Sequence, residues 1–307
     1  MPAASDFRAI GPREWVFLTA LSILWGGSYL FMKIAVGYLP VFVIVFGRVA
    51  IAAVMLGLIL IVTGQGIPRK RDHWIAFFGM GLLNNVLSMS LIVFGTQSIS
   101  AGLASIINAM TPLFTIVLAH FLTLDERLSI NKIFGVLLGL CGVIVLIGPG
   151  LLFSRDASTI GEIACLLAAL SYASANIFGR RFVRLGLKPL HIAFGQVSAS
   201  TIILLPTLLL HDWKGIVETI TWTPIACVIA LGVLSTGLAY ILFFAILNRS
   251  GATAVALVTL MIPPSAIALG SIVLNESLTL QQLAGMILIG AGLIAVNRRA
   301  ALSRREM

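Results

Sequence analysis

Ten stretches of roughly 20 mainly apolar residues, each long enough to cross the hydrocarbon core of a bilayer, take up most of this 307-residue chain. They run near Trp15–Val36, Val41–Val62, Trp74–Phe94, Ser100–Leu122, Ile130–Ile147, Ile160–Phe178, Leu190–Leu210, Pro224–Leu247, Ala252–Leu274 and Gln281–Val296. The stretches are continuously apolar, whereas the strands of a membrane barrel alternate over about ten residues, so the spans are expected to be helices. Only 10% of residues are charged and the mean hydropathy is +1.09, against the roughly 25% charged of a soluble domain. The first stretch follows the polar segment Met1–Glu14, is longer than a signal-peptide apolar region and has no Ala-x-Ala-like site after it. It is expected to remain as the first helix.

The net charge of +9 would suggest nucleic acid in a soluble protein, but its distribution points elsewhere. Sixteen of the twenty basic residues fall in alternate connections: Arg8, Arg13, Arg69, Lys70, Arg71, Arg127, Lys132, Arg180, Arg181, Arg184, Lys188, Arg249, Arg298, Arg299, Arg304 and Arg305. The opposite connections hold only Arg155 and Lys214, while Lys33 and Arg48 lie within spans. The positive-inside rule then places both termini in the cytoplasm and the connections near Ser154–Thr159 and Asp212–Thr223 outside. These basic runs orient the chain and meet anionic headgroups; no nucleic-acid partner is expected.

Shifting the sequence by 150 residues lays Asp125-Glu126-Arg127-Leu128-Ser129 on Asn275-Glu276-Ser277-Leu278-Thr279, with Gly135 on Gly285 and Gly142 on Gly292. Five helices per half reverse the second copy. The expected fold is therefore all-α and polytopic: ten transmembrane helices as two inverted five-helix repeats, 1–150 and 151–307, around a central cavity. Ser129 and Thr279 sit where the last helix of each half begins, and Thr279 with Gln282 has the spacing of a capping box. Glu126 and Glu276 precede those starts; they are gates or proton sites on one reading, interfacial acids at a helix N-terminus on the other. Pro112 lies in the middle of the fourth span and Pro263-Pro264 in the middle of the ninth. Prolines at matching places in two inverted halves suggest hinges beside a midplane site.

Trp25-Gly26-Gly27-Ser28, Lys33, Pro40, Arg48 and the two glutamate segments with their downstream glycines occur in an order that resembles the EamA-type, ten-helix branch of the drug/metabolite transporter superfamily, which includes YddG-like amino-acid exporters. The resemblance spans essentially the whole chain, with each half an EamA-like repeat. The second half departs from the pattern: Tyr172-Ala173 stands where Trp-Gly would, and Gln196 stands where Arg48 does. The resemblance implies a multi-pass exporter of the cell (inner) membrane that moves small metabolites by alternating access, and it leaves the cargo open.

Polar and aromatic residues gather at the centres of the spans: Trp25, Ser28 and Tyr29; Asn84, Asn85 and Ser88; Asn108, Thr111 and Thr115; Ser171, Tyr172, Ser174 and Asn176; Ser235, Thr236 and Tyr240; Thr259. Many are three or four apart and so share a helix face, which should turn inward because unpartnered amides are costly in hydrocarbon. They are either cavity lining or interhelical glue. Arg48 either binds a substrate carboxylate, or holds backbone carbonyls or snorkels to the outer interface. No acidic residue lies near the centre of a span, which suits a neutral or zwitterionic cargo, an amino acid above all, better than a strongly cationic one. Aromatic faces keep a cationic drug open as the alternative. A membrane-embedded enzyme is less consistent: His73, His120, His191 and His211 fall near span ends, and no HExxH or GxSxG motif occurs. Cys141, Cys165 and Cys227 lie inside spans without paired spacing and read as packing residues. The expected partners are a small-molecule substrate and the bilayer, with the chain acting as a monomer and using no cofactor or metal.

Overall fold

The computed structural model describes residues 11–123, 129–147, 156–211 and 221–302. Arg8, Glu126, Arg127, Arg155, Lys214, Arg304 and Arg305, with Ser154 of the first connection expected outside and residues 212–220 of the second, lie beyond the described residues. Among the described residues, nine helices are long and apolar enough to cross a membrane: α1 (Pro12–Ala35), α2 (Val41–Val62), α3 (Arg71–Gly95), α4 (Ala101–Leu122), α5 (Ile130–Ile147), α6 (Ala157–Arg184), α7 (Pro189–Leu209), α8 (Trp222–Leu247) and α9 (Leu257–Leu274). A tenth, α10 (Leu280–Leu302), carries the shorter apolar stretch Leu280–Val296. The ten expected spans are therefore all helical.

Helical backbone runs unbroken from Ala239 to Leu274, through the junction of α8 and α9. The path nevertheless reverses there. The ring of Phe243 lies 5.8 Å from that of Trp25, while Ser265 Oγ donates to the carbonyl of Ser22 at 2.7 Å. In a straight helix, residues 243 and 265 would be about 33 Å apart, yet both reach the same turn of α1.

The helix contacts obey an exchange rule. α1 packs on α8 and α9, and α6 packs correspondingly on α3 and α4; α2 packs on α8 and α7 on α3; α2–α7, α4–α9 and α5–α10 each pair with themselves under the exchange. Adding five to every helix number thus exchanges these pairings among themselves, as expected of a two-fold relation between the halves. Direction is visible at α5–α10. A Cβ on Gly135 would lie 2.6 Å from the carbonyl of Gly292, and one on Gly142 would lie 2.8 Å from that of Gly285. Rising numbers on one helix meet falling numbers on the other, so the pair is antiparallel and the halves are inverted.

Backbone meets backbone at these glycines, so no side chain can move aside. We expect Gly142→Ala to lower the melting temperature of the detergent-solubilised protein by the equivalent of about 1–3 kcal/mol. Gly290→Ala on α10, where an added Cβ meets nothing within 4 Å, should leave the melting temperature unchanged or slightly raised. Equal effects of the two variants would contradict the close approach.

Two helices depart from α geometry at matching places. Within α3, Leu82–Leu87 forms a π turn; within α8, Val233–Leu238 does the same. Each π turn accommodates an extra residue and frees a carbonyl from the regular ladder. Hydroxyls recover these groups: Ser88 and Ser171 both donate to the Leu83 carbonyl, at 2.6 and 2.8 Å, and Thr236 donates to that of Leu231 at 2.9 Å.

The expected proline kinks take two different forms. α4 breaks into Ala101–Asn108 and Thr111–Leu122, and Pro112 stands in the first turn of the second piece, where its missing N–H is harmless. In α9 the helix continues through Pro263 and Pro264. The capping box forms as expected: Thr279 N–H donates to Gln282 Oε1 at 3.1 Å and Gln282 N–H to Thr279 Oγ1 at 3.2 Å. Ser129 Oγ receives the N–H of Lys132 at 3.4 Å at the start of α5.

Candidate functional site

The two π turns each face a helix of the opposite half. Arg48 of α2 reaches the α8 turn, where its Nε donates to Thr236 Oγ1 at 2.8 Å. Gln196 of α7 reaches the α3 turn, where its Oε1 receives Asn84 Nδ2 at 3.1 Å. These contacts are counterparts under the repeat, because Gln196 occupies the place of Arg48 in the second half. Asn84 Nδ2 also lies 3.2 Å from Tyr240 Oη and 3.3 Å from Asn85 Oδ1, which joins α3, α7 and α8 in one polar network. Below it, Asn85 Nδ2 donates to Ser200 Oγ at 2.9 Å, and that hydroxyl donates to the Gln196 carbonyl at 2.6 Å.

Arg48 is the least satisfied member. Only 6% of it is exposed, and a guanidinium carries five N–H donors. Beyond the Thr236 bond, its Nη2 lies 3.5 Å from the Ser235 carbonyl and its Nη1 lies 3.7 Å from the sulfur of Met32, a weak acceptor. Its ionisable neighbours are the phenols of Tyr29, Tyr172 and Tyr240, and no carboxylate among the described residues joins them. Ser235, only 1% exposed, has a buried hydroxyl without a hydrogen-bond partner. A buried cation lacking an anion is costly in low dielectric. An oxyanion offered to this fork would remove much of that cost and supply short charge-assisted bonds.

One end of the bundle is latched. Lys33 Nζ, at the end of α1, donates to the carbonyls of Thr96 and Ile99 at 2.8 and 2.9 Å, closing α1 onto the α3–α4 turn. Glu276, just beyond α9, receives the N–H of Ala101 on both carboxylate oxygens, at 3.1 and 3.0 Å. Glu276 therefore caps the first turn of α4 across the repeat boundary, not the helix that follows it in sequence. Asn275 makes this reach possible by adopting a left-handed φ of 54° at the end of α9. Toward the other end, a cleft of about 580 Å³ between α3, α4 and α6 runs from Asp72, Arg181 and Arg184 to Leu83 of the π turn.

The structure thus brings Arg48, Asn84, Asn85, Ser235 and Tyr240 together, with Tyr29 and Tyr172 beside Arg48 and Asn108 near Tyr29. Ser28 is buried on α1. Trp25 packs on Phe243 one turn of α1 before Tyr29, on the same face of the helix. Ser88 and Ser171 are used by the Leu83 carbonyl, Thr111 donates to the Asn108 carbonyl at 2.8 Å, and Asn176 donates to Thr115 at 3.2 Å on an exposed face. Thr259 lies half-buried on α9 without a place in the network. Gln196 and Ser200 were not among the residues singled out from the sequence. The repeat alignment held a signal for Gln196, since a polar residue replaces Arg48 there.

The family model described as the EamA-like transporter family matches the chain twice, at residues 13–148 and 159–298. The chain is 26% identical to the uncharacterized transporter YoaV of Bacillus subtilis, over 90% of this chain and 94% of that protein. It is 29% identical to a probable amino-acid metabolite efflux pump of Salmonella typhimurium, over 88% and 90% of the two chains. A protein of the same description from Escherichia coli is 26% identical over 92% and 93%. A crystal structure 18% identical in sequence shares the fold with a TM-score of 0.64, covering 94% of this chain and 99% of the other.

Proposed function

Because the chain belongs to the EamA-like transporter family and is a multi-pass membrane transporter, we propose that it exports small carboxylated metabolites, most specifically neutral and aromatic amino acids, by alternating access. The observation that carries this reading is Arg48: a buried guanidinium at the junction of the two halves, with a poorly filled donor fork, no carboxylate neighbour among the described residues and an unpartnered hydroxyl beside it. Arg48 anchors the substrate carboxylate. The phenols of Tyr29 and Tyr172 and the amide of Asn84 face the ammonium, and Trp25 with its neighbour Phe243 receives the apolar side chain. Outward flux is supported by the two relatives described as probable amino-acid metabolite efflux pumps. The hinges are the α4 break at Pro112, the α9 segment with Pro263 and Pro264, and the paired π turns.

Counterflow into proteoliposomes loaded with unlabelled amino acid is the direct test. Neutral amino acids should compete for uptake of a labelled one, and their decarboxylated amines should not. If hydrophobic cations abolish counterflow while neutral amino acids have no effect, the carboxylate reading fails and a cationic cargo takes its place.

The basic connections set the orientation within this proposal: both termini and the cleft face the cytoplasm of an inner membrane, and the Lys33–Glu276 latch faces outward. A cysteine replacing Lys70 should resist an impermeant thiol reagent in intact cells and react after permeabilisation. Labelling in intact cells would reverse the assignment.

A further inference from the structure

On the basic face, the connection between α2 and α3 meets that between α6 and α7 around a second pocket, of about 520 Å³. Its ionisable lining consists of Arg69, Lys70, His73, Lys188 and His191, with no acid among the lining residues. Asp72, the nearest acid in sequence, lines the neighbouring cleft with Arg181 and Arg184 instead. The pocket frame is tied on both sides: Trp74 Nε1 donates to the Pro68 carbonyl at 3.0 Å, and His191 Nε2 lies 3.0 Å from the Gly66 carbonyl. Gly186 closes the opposite wall with a φ of +63° that other residues rarely adopt.

Several features make this pocket more than a solvated run of charge. α3 and α7 both begin here, with Lys70 and Lys188 at their N-caps, and neither residue supplies a capping acceptor to the first turn. The positive ends of two helix dipoles therefore point the same way as the basic side chains. His73 lines the same wall. Like charges brought together in a tied frame repel one another, and a group with several acceptor oxygens relieves the repulsion while using the free donors. Ile67 and Trp74 add an apolar flank at the level where the helix enters the bilayer.

We propose that this pocket binds a phosphate oxyanion, presented by the headgroup of an anionic phospholipid or by a phosphate species in solution. Lys70, Lys188 and Arg69 hold the oxygens. The site is separate from the Arg48 network and makes no use of the transported substrate.

The test uses the purified full chain in neutral-lipid nanodiscs, with Lys70→Gln/Lys188→Gln beside Lys132→Gln, a basic residue on the same face outside the pocket. Two probes are titrated: phosphatidylglycerol incorporated into the discs, and inorganic phosphate added to the buffer. Binding is read by native mass spectrometry and by the shift in melting temperature. The unmodified protein and Lys132→Gln should bind at least one probe, with affinity reduced about tenfold or more in the double variant. Binding of phosphatidylglycerol alone assigns the site to lipid, and binding of phosphate alone or of both assigns it to an oxyanion regardless of carrier. If neither probe binds, or the double variant binds as well as the unmodified protein, the proposal is overturned.

Discussion

Arg48→Met should abolish amino-acid counterflow while leaving the detergent-solubilised protein at least as stable as the unmodified chain. The two halves of this expectation have opposite causes. Truncating one partner of a buried charge pair costs about 2–5 kcal/mol, so substrate affinity should fall about 30-fold or more. Without substrate, the same guanidinium is a buried charge with long, poor contacts, and exchanging it for a similar-sized apolar side chain removes a desolvation cost. Thr236 is not orphaned by the change, since its hydroxyl still donates to the Leu231 carbonyl. Arg48→Lys should be nearly as inactive despite its charge, because an ammonium lacks the planar fork. Melting curves with and without substrate separate the cases. Retained transport, or a lower melting temperature in Arg48→Met with normal substrate binding, would make Arg48 a helix tether and remove the carboxylate anchor.

Glu276→Ala should open the latched end. Its carboxylate caps the first turn of α4 through two oxygens, and a negative charge there also meets the positive end of the helix dipole. Loss of an N-cap costs about 0.5–2 kcal/mol, and the nearby Lys33 loses its acidic neighbour as well. The combined effect should shift the balance between the two access states by roughly 5- to 50-fold toward the outward-open one, taking 1.4 kcal/mol per factor of ten. A cysteine replacing Ala104, fully buried behind the latch, reports this in a background whose native cysteines are replaced. It should react with an impermeant reagent from outside severalfold faster when Glu276→Ala is added. Unchanged reactivity would show that Lys33 and its two carbonyl contacts hold the end closed unaided.

Hydropathy reveals the ten spans because each is a local property of about 20 residues, and the 150-residue shift reveals the inversion because an odd number of crossings leaves no other arrangement. The Thr279–Gln282 cap was legible for the same reason: its partners are three residues apart. What escaped is either nonlocal or without a compositional mark. Glu276 reads as a cap for its own neighbouring helix, yet its N–H partner Ala101 lies 175 residues away in sequence. The counterpart contacts Arg48–Thr236 and Gln196–Asn84 connect residues 188 and 112 apart. Nothing in Leu82–Leu87 or Val233–Leu238 distinguishes a π turn from an α turn by residue type. The serines of the midplane divide only once the freed carbonyls are seen: Ser88 and Ser171 serve the Leu83 carbonyl, while Ser235 keeps its hydroxyl unpartnered.

The π turns also govern where these helices can change length. A residue removed from an ordinary stretch of α-helix rotates everything on one side of the cut by about 100°, and in α3 that would swing either Phe77 or Ile92 out of the core. A residue removed from Leu82–Leu87 or Val233–Leu238 instead lets the wide turn relax to α geometry, and both flanks keep the faces they already bury. The protein therefore carries one slack position in each half, placed where the two halves grip one another. Single-residue gains and losses can be absorbed there without re-registering a whole membrane span, although the grip itself is remade each time.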